Sequence, residues 1–327
     1  MPTKTSKMPD AEKFSRFASE FAKDIEAADT ITLFRHILPD PDAFGSQLGL
    51  KSWLQEKYPD KKILALGKSS RDHQMDEADD EEIRNSLAII LDSSTSPRID
   101  DERWKDAKKS IRIDHHVLTE EFGDLSWVDE DATATCEILA LLLEKLGQKL
   151  PQEAAQLLYE GLIADNLRFS VNKTSPDSFA AGAYLVSNGV DLAKANTAIF
   201  AGTYHDFVYE NRVRSNAYRN EKALISVMSV SDYLNCGHDF MSAKDMVYVL
   251  SNIVDIEVWA LFTMMEDGIH YSASLRSRTI PIRDIAAEYG GGGHDCASGI
   301  KNLTSQQVAE IAEKLAKRST KPDFKIE

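Results

Sequence analysis

The chain has 327 residues, 43% apolar and 8% aromatic, the make-up of a globular protein with room for two domains and a core in each. A net charge of −15 excludes general binding of long nucleic acid, which rests on many Lys and Arg contacts to phosphate, but is compatible with a small anionic substrate at a local site. Three scattered cysteines (Cys136, Cys236, Cys296) without a CxxC pair exclude a disulfide framework and a structural zinc site, and no apolar run looks signal-like or membrane-spanning, so a cytoplasmic protein without membrane contact is expected.

Residues 11–27 place Phe14, Phe17, Ala18, Phe21 and Ile25 on one helical face. Short apolar, β-rich runs follow at 30–37, 63–66, 87–91 and 110–113, separated by helical or loop sequence; the acidic run 75–83 reads as a solvated loop or helix end. Strands alternating with helices predict an α/β domain, a mainly parallel sheet flanked by helices. Helices are expected across 132–165, with a break near Gly147 and a fresh start at Pro151, and at 177–188 with Ser175 or Asp177 near the cap. The apolar face of 132–147 offers a surface for a homodimer. A charged helical stretch, 191–222, reads as a connector.

From Ala223 the pattern changes. Runs 223–230, 257–267 and 268–277 are β-rich, with Asp267-Gly268 as a hairpin turn; a helix at 281–290 leads into a glycine run, and an amphipathic helix closes at 305–318. The expected division is therefore a catalytic domain at 1–190, the connector at 191–222 and a smaller α+β domain at 223–327, with a cleft between the domains.

Four stations in the first domain carry carboxylates or imidazoles: His36/Asp40/Asp42, Asp92, Asp114/His115/His116 and Asp165. Three of them lie at or just past the carboxyl end of a predicted strand, the edge at which open α/β sheets bind ligands. Alone, Asp42 reads as a helix cap and Asp92 as an ordinary strand end. The pair His115–His116 is harder to set aside, since strand alternation is expected to send the rings to opposite sides. Asp and His without Cys suit manganese, magnesium or iron, and there are more donors here than one ion needs. Two ions about 3.5–4 Å apart that share a carboxylate use the set sensibly, ionise the water between them, and favour in-line attack on phosphorus.

The segments "HILPDPDAFGS", "LDSS", "IDHH" and "ADNLRF" resemble the four metal motifs of DHH phosphoesterases, and "SLRSRTIPIRDIAAEYGGGGHDCASG" resembles the signature of the DHH-associated C-terminal domain. The resemblance covers nearly the whole chain, and its compact form is similar to the nanoRNase/pAp-phosphatase branch. It implies one metal held by His36, Asp40 and Asp92 and a second held by Asp42, Asp92, His115 and Asp165, with manganese the first expectation. It further implies that His116 faces the phosphate and that Asp114 orients the motif. The sequence departs from the pattern at Pro41, where relatives often have Gly, at Asn166-Leu167, where Thr and Gly are usual, and at Ser298, where Ala is common.

In the second domain the glycines permit close backbone approach and an anion nest, while Arg276 offers a planar fork for phosphate. The resemblance implies that Arg276, Ser277, Gly292, Gly293 and His294 hold the nucleotide or its terminal phosphate. It thus implies a phosphohydrolase for short oligoribonucleotides and pAp-like nucleotides. The alternatives are a linear-dinucleotide (pApA) phosphodiesterase of cyclic di-AMP turnover, a polyphosphate or pyrophosphate hydrolase, and a nucleotide-binding protein without turnover. His73, His205, His238 and His270 show no partner pattern and read as surface or packing residues, whereas Arg168, close behind the fourth motif, is a further candidate for phosphate.

Overall fold

The computed structural model describes residues 11–70 and 73–320, in two compact units that divide between Ala201 and Gly202. The first begins with α1 (Ala11–Ala27), whose five periodic apolar residues are all buried. There follow β1 (Thr30–Phe34), α2 (Pro41–Lys57), β2 (Lys62–Ala65), α3 (Asp80–Arg84), β3 (Leu87–Leu91), β4 (Lys109–Asp114) and β5 (Leu125–Val128). The unit ends in four helices, α4 (Thr135–Lys145), α5 (Gln152–Asp165), α6 (Pro176–Ser187) and α7 (Leu192–Phe200).

Its sheet is parallel throughout, in the order β2-β1-β3-β4-β5. The pleat sorts β3 between two cores: Leu87, Ile89 and Leu91 join the one under α1, α2, α4 and α5, and Ala88 and Ile90 join the one containing Phe34, Ile83 and Trp104. The strand order reverses between β1 and β3, and a ligand crevice is expected outside their carboxyl ends. Pro41 causes no conflict: it is the first residue of α2, directly behind the cap Asp40, and a helical backbone there needs the negative φ that proline supplies. Helices α2 and α5 cross at glycines. A Cβ on Gly45 would sit 2.6 Å from the Leu157 carbonyl oxygen, and one on Gly161 would sit 2.5 Å from Cys136 Sγ and 3.0 Å from Asp42 Cα.

The second unit comprises α8 (Tyr204–Ser215), β6 (Tyr218–Asn220), β7 (Ala223–Met228), α9 (Val230–Leu234), α10 (Phe240–Asp245), β8 (Val258–Met264), β9 (Tyr271–Ser277), α11 (Arg283–Glu288), β10 (Gly292–His294), β11 (Ala297–Leu303) and α12 (Ser305–Ser319). Its mixed sheet runs β10-β11-β9-β8-β7-β6, with α11 and α12 packed on one face.

Several expectations change. The stretch 191–222 divides, α7 belonging to the first unit and α8 to the second, and its end is strand rather than helix. The strand β5 has no wholly buried residue and gave no apolar run to read. The glycine run, for which no strand was expected, ends in an edge strand at Gly292 and Gly293, and Gly293 has φ of 136° there with its would-be Cβ 2.4 Å from the Ala297 carbonyl oxygen. The apolar face of 132–147 is used in the core, with Cys136, Ile138, Leu139, Ala140, Leu142 and Leu143 all buried, so it offers a homodimer nothing. No helix among the described residues is long and apolar enough to cross a membrane.

Candidate metal centre

Each station is delivered by a strand end or a helix end. His36 lies two residues past β1, Asp92 directly follows β3, and Asp114 is the last residue of β4. Asp40 caps α2, its Oδ1 accepting from the Ala43 amide at 3.0 Å, and Asp165 ends α5. Asp42, in the first turn of α2, is wholly buried and accepts from two amides that open α4: Thr135 N–H to Oδ2 at 2.7 Å and Cys136 N–H to Oδ1 at 2.9 Å. The positive end of α4 thereby favours its charged form, against the burial that opposes it.

These groups converge. His36 Nδ1 donates to the Ile37 carbonyl at 2.7 Å, which turns Nε2 inward, 3.3 Å from Asp92 Oδ2 and 3.7 Å from Asp40 Oδ2. On the other side His115 Nε2 lies 3.4 Å from Asp92 Oδ1, 3.4 Å from Asp165 Oδ2 and 3.8 Å from Asp42 Oδ2. The two oxygens of Asp92 are therefore shared between two groups of donors. Asp92 itself has a left-handed φ of 53°, a strain that an aspartate tolerates better than most residues and that turns its carboxylate into the cluster.

The electrostatics test whether cations fit. Burial, followed by the charge of Asp92, pushes Asp42 up to about 7. Burial and then Asp42 push Asp165 up to about 8. Burial opposes a charge on His36, but its bonds to Asp40 and Asp92 outweigh that and push it up to about 10; for His115 the same opposition is overcome by Asp92 first, and it rises to about 9. Burial likewise works against Asp92, yet His115 and His36 hold it well below the usual carboxylate range. Four carboxylates at such separations need positive charge among them, and three donor groupings, His36/Asp40/Asp92, Asp42/His115/Asp165 and Asp92/His115/His116, are close enough to hold a metal ion.

In the third grouping the atom of His116 that approaches Asp92, Nδ1 at 3.6 Å, is already engaged: it donates to Asp114 Oδ1 at 2.8 Å, leaving Nε2 as the outward nitrogen of a 38%-exposed ring. The two imidazoles do not point to opposite sides as strand alternation suggested. Their centroids are 4.5 Å apart on the same cluster, because β4 has ended at Asp114 and the pleat no longer governs them. Asp114 Oδ1 also accepts from the His115 amide at 2.9 Å, and its Oδ2 pairs with Arg112 at 2.7 Å. Burial opposes that charge, but His116 and then Arg112 hold Asp114 below the ordinary range.

Two supporting residues were missed. Arg112 is fully buried, with its guanidinium 4.1 Å over the ring of Phe122, and it donates to the carbonyls of Ser94 at 3.0 Å and Glu120 at 2.7 Å, tying together the loops that follow β3 and β4. A cation inside an apolar strand was the available signal, since a buried charge must be paired. Thr135 Oγ1 donates to Asp92 Oδ1 at 3.1 Å, so α4 steadies both Asp42 and Asp92; nothing local in its sequence announces this. Arg168 is engaged elsewhere, 3.6 Å over Phe200 and bonded to Asn196 at 2.8 Å.

In the second unit Arg276 faces Ala297 across β9 and β11, and Ala297 faces His294 across β11 and β10, so the three side chains share one face of the sheet. Arg276 is half-buried, with one N–H on the Leu275 carbonyl at 2.9 Å, while Gly292, Gly293 and His294 are exposed. Ser277 bonds its hydroxyl to the Ile280 carbonyl at 2.5 Å, and Ser298 to that of His294 at 2.9 Å, so both act within the turns of this patch.

Comparison with known proteins adds to this geometry. The model of the DHH family, N-terminal domain, matches residues 30–162, and that of the DHHA1 domain matches residues 226–321. The chain is 33% identical over 289 residues to the bifunctional oligoribonuclease and PAP phosphatase NrnA of Bacillus subtilis, covering 86% of this chain and 92% of that one. It is 32% identical over 317 residues to the uncharacterized protein MG371 of Mycoplasma genitalium, covering 93% and 97%. The crystal structure of an exopolyphosphatase-related protein from Bacteroides fragilis superposes with a TM-score of 0.81 at 22% identity, over 93% of this chain and 96% of that one, and so shares its fold.

Proposed function

The chain belongs to the DHH family of phosphoesterases, and on that footing we propose that it is a phosphohydrolase working with two divalent cations, manganese foremost, that degrades oligoribonucleotides of a few residues and dephosphorylates 3′-phosphoadenosine 5′-phosphate. The observation that carries this reading is the division of Asp92, one oxygen toward His36 and the other toward His115. His36, Asp40 and Asp92 form one donor set, and Asp42, Asp92, His115 and Asp165 form the other. When bound there, such cations supply Lewis-acid charge to phosphoryl oxygens and make an attacking water more acidic.

The chain's own groups do the rest. Asp42 and Asp92 are fixed by α4, so the donors keep their spacing through turnover. His116 presents Nε2 outward and donates a hydrogen bond to phosphoryl oxygen as charge develops there. Asp114 holds that ring in its orientation, and Arg112 holds Asp114. In the second unit, Arg276, Gly292, Gly293 and His294 bind the terminal nucleotide or its phosphate, with the Arg276 fork as the principal contact, while the buried Ser277, its hydroxyl held by the Ile280 carbonyl, shapes the turn beside them. The net charge of −15 supports a short substrate, since a long strand finds little on such a surface to hold it.

The test is manganese-dependent turnover on pAp, pApA, RNA from two to about twenty-four nucleotides, and pyrophosphate. Cleavage of pAp with rates that fall steeply beyond a few nucleotides is the expected result. Strong preference for pApA alone points instead to cyclic-dinucleotide turnover, and inactivity across the panel points to a nucleotide-binding protein.

A further inference from the structure

Five large aliphatic side chains stand in the open beside the acid–imidazole cluster. Ile37 and Leu38 lie between His36 and Asp40, Val117 and Leu118 follow His116, and Leu167 is two residues past Asp165. Their exposures are 40%, 88%, 62%, 44% and 56% in that order. Consecutive Cα atoms are about 3.8 Å apart, so each lies within about 8 Å of chain from a residue of the centre. Single exposed aliphatic residues are ordinary on any surface, whereas a group of them around one polar site marks a place where something apolar binds.

Two of the five add an independent observation. Leu38 has φ of 53° and Leu167 φ of 47°. A branched side chain is disfavoured in this left-handed region, and asparagine or glycine would relieve the strain. Packing does not compensate, because both side chains are exposed. A strained leucine that faces water contributes nothing to the core; what it offers is apolar surface to a molecule bound at the neighbouring centre.

The chemistry of the centre then limits the occupant. Its carboxylates and imidazoles meet the phosphate, so the apolar surface must meet the part of the substrate attached to that phosphate. An inorganic phosphate chain has no such part. A nucleobase has two flat, weakly hydrated faces and lies one sugar away from the phosphorus. We propose that Ile37, Leu38, Val117, Leu118 and Leu167 form an aliphatic collar that seats the nucleobase next to the scissile phosphate and sets the preference of the site for nucleotides. The inference rests on the phosphohydrolase reading and names what that site selects.

The test uses the full chain with manganese and compares kcat/KM on pApA with kcat/KM on the same dinucleotide lacking its 3′-terminal base. A Leu38→Asn, Leu167→Gly double variant removes the collar at its two strained points while easing the backbone, so its thermal midpoint is expected to equal or exceed that of the wild type. The preference for the base-bearing substrate is expected to fall about tenfold, as when a few methylenes leave an apolar pocket. A Val117→Ser, Leu118→Ser variant is expected to shift the ratio in the same direction. An unchanged ratio in both variants overturns the collar, as does a lowered midpoint in the first, which would make the leucines packing residues. Equal rates of the wild type on both substrates overturn the collar and leave the phosphohydrolase reading standing; turnover of neither removes both. A wild-type dimer that the first variant splits into monomers assigns the leucines to an interface between copies and overturns the proposal too.

Discussion

In the first unit the polar groups of interest are mostly buried and tied to backbone. Two helix amides hold Asp42, the Ile37 carbonyl orients His36, and the amide of His115 steadies Asp114. In the second unit Gly292, Gly293 and His294 lie open on an edge strand, and Arg276 is half-exposed. On the proposed function, the difference separates two kinds of work. Chemistry at phosphorus needs donors held to within a fraction of an ångström, whereas recognition of a chain end tolerates groups that adjust to the ligand.

Substitutions can break or sharpen that contrast. Replacing Asp92 by Ala withdraws the carboxylate that faces both histidines, and turnover is expected to fall by about a thousandfold or more, at least the loss seen on deleting a main transition-state contact. Near-normal rates on pAp would break the assignment of a shared carboxylate. Arg112→Met leaves Asp114 buried without its cation and frees the loops that carry Ser94 and Glu120; kcat is expected to drop about 10–100-fold with KM little changed. If KM rises instead, Arg112 belongs to recognition rather than to the rigid centre. Arg276→Ala is expected to raise KM for short RNA about tenfold, while a generic small phosphate ester is hydrolysed much as before. Equal losses on both substrates would contradict the division of labour between the units. The smallest effect is structural: Gly293→Ala places a methyl against the Ala297 carbonyl at a φ of 136° and is expected to cost roughly 1–3 kcal/mol, read by chemical denaturation. Unchanged stability would mean that the hairpin is loose enough to absorb the methyl.

The sequence was most legible where a segment is apolar on all sides or periodic. The wholly buried β3 and the one-faced α1 have the boundaries expected of them. It was least legible where tertiary partners decide. The half-exposed "LSWV" of β5 becomes a strand only because β4 offers it an edge, and the glycines of β10 do so because β11 pairs with them. In the cluster, the residues of ligand type could be picked out by kind and order, but the groups that hold them in place could not. Thr135 lies 43 residues from Asp92 in sequence and meets it only after α4 has packed. The mistaken expectation for His115 and His116 has a similar origin, since a pleat rule holds only while the strand lasts.

The glycine crossing of α2 and α5 has one more consequence. Asp42 and Asp165 ride on helices that touch through Gly45 and Gly161 with no room for a methyl, so the distance between those carboxylates is machined by helix packing. On the proposed function such a centre is pre-organised, and loading it requires no segment to fold. Metal uptake is therefore expected to show no slow conformational phase unless a side chain is forced into that crossing.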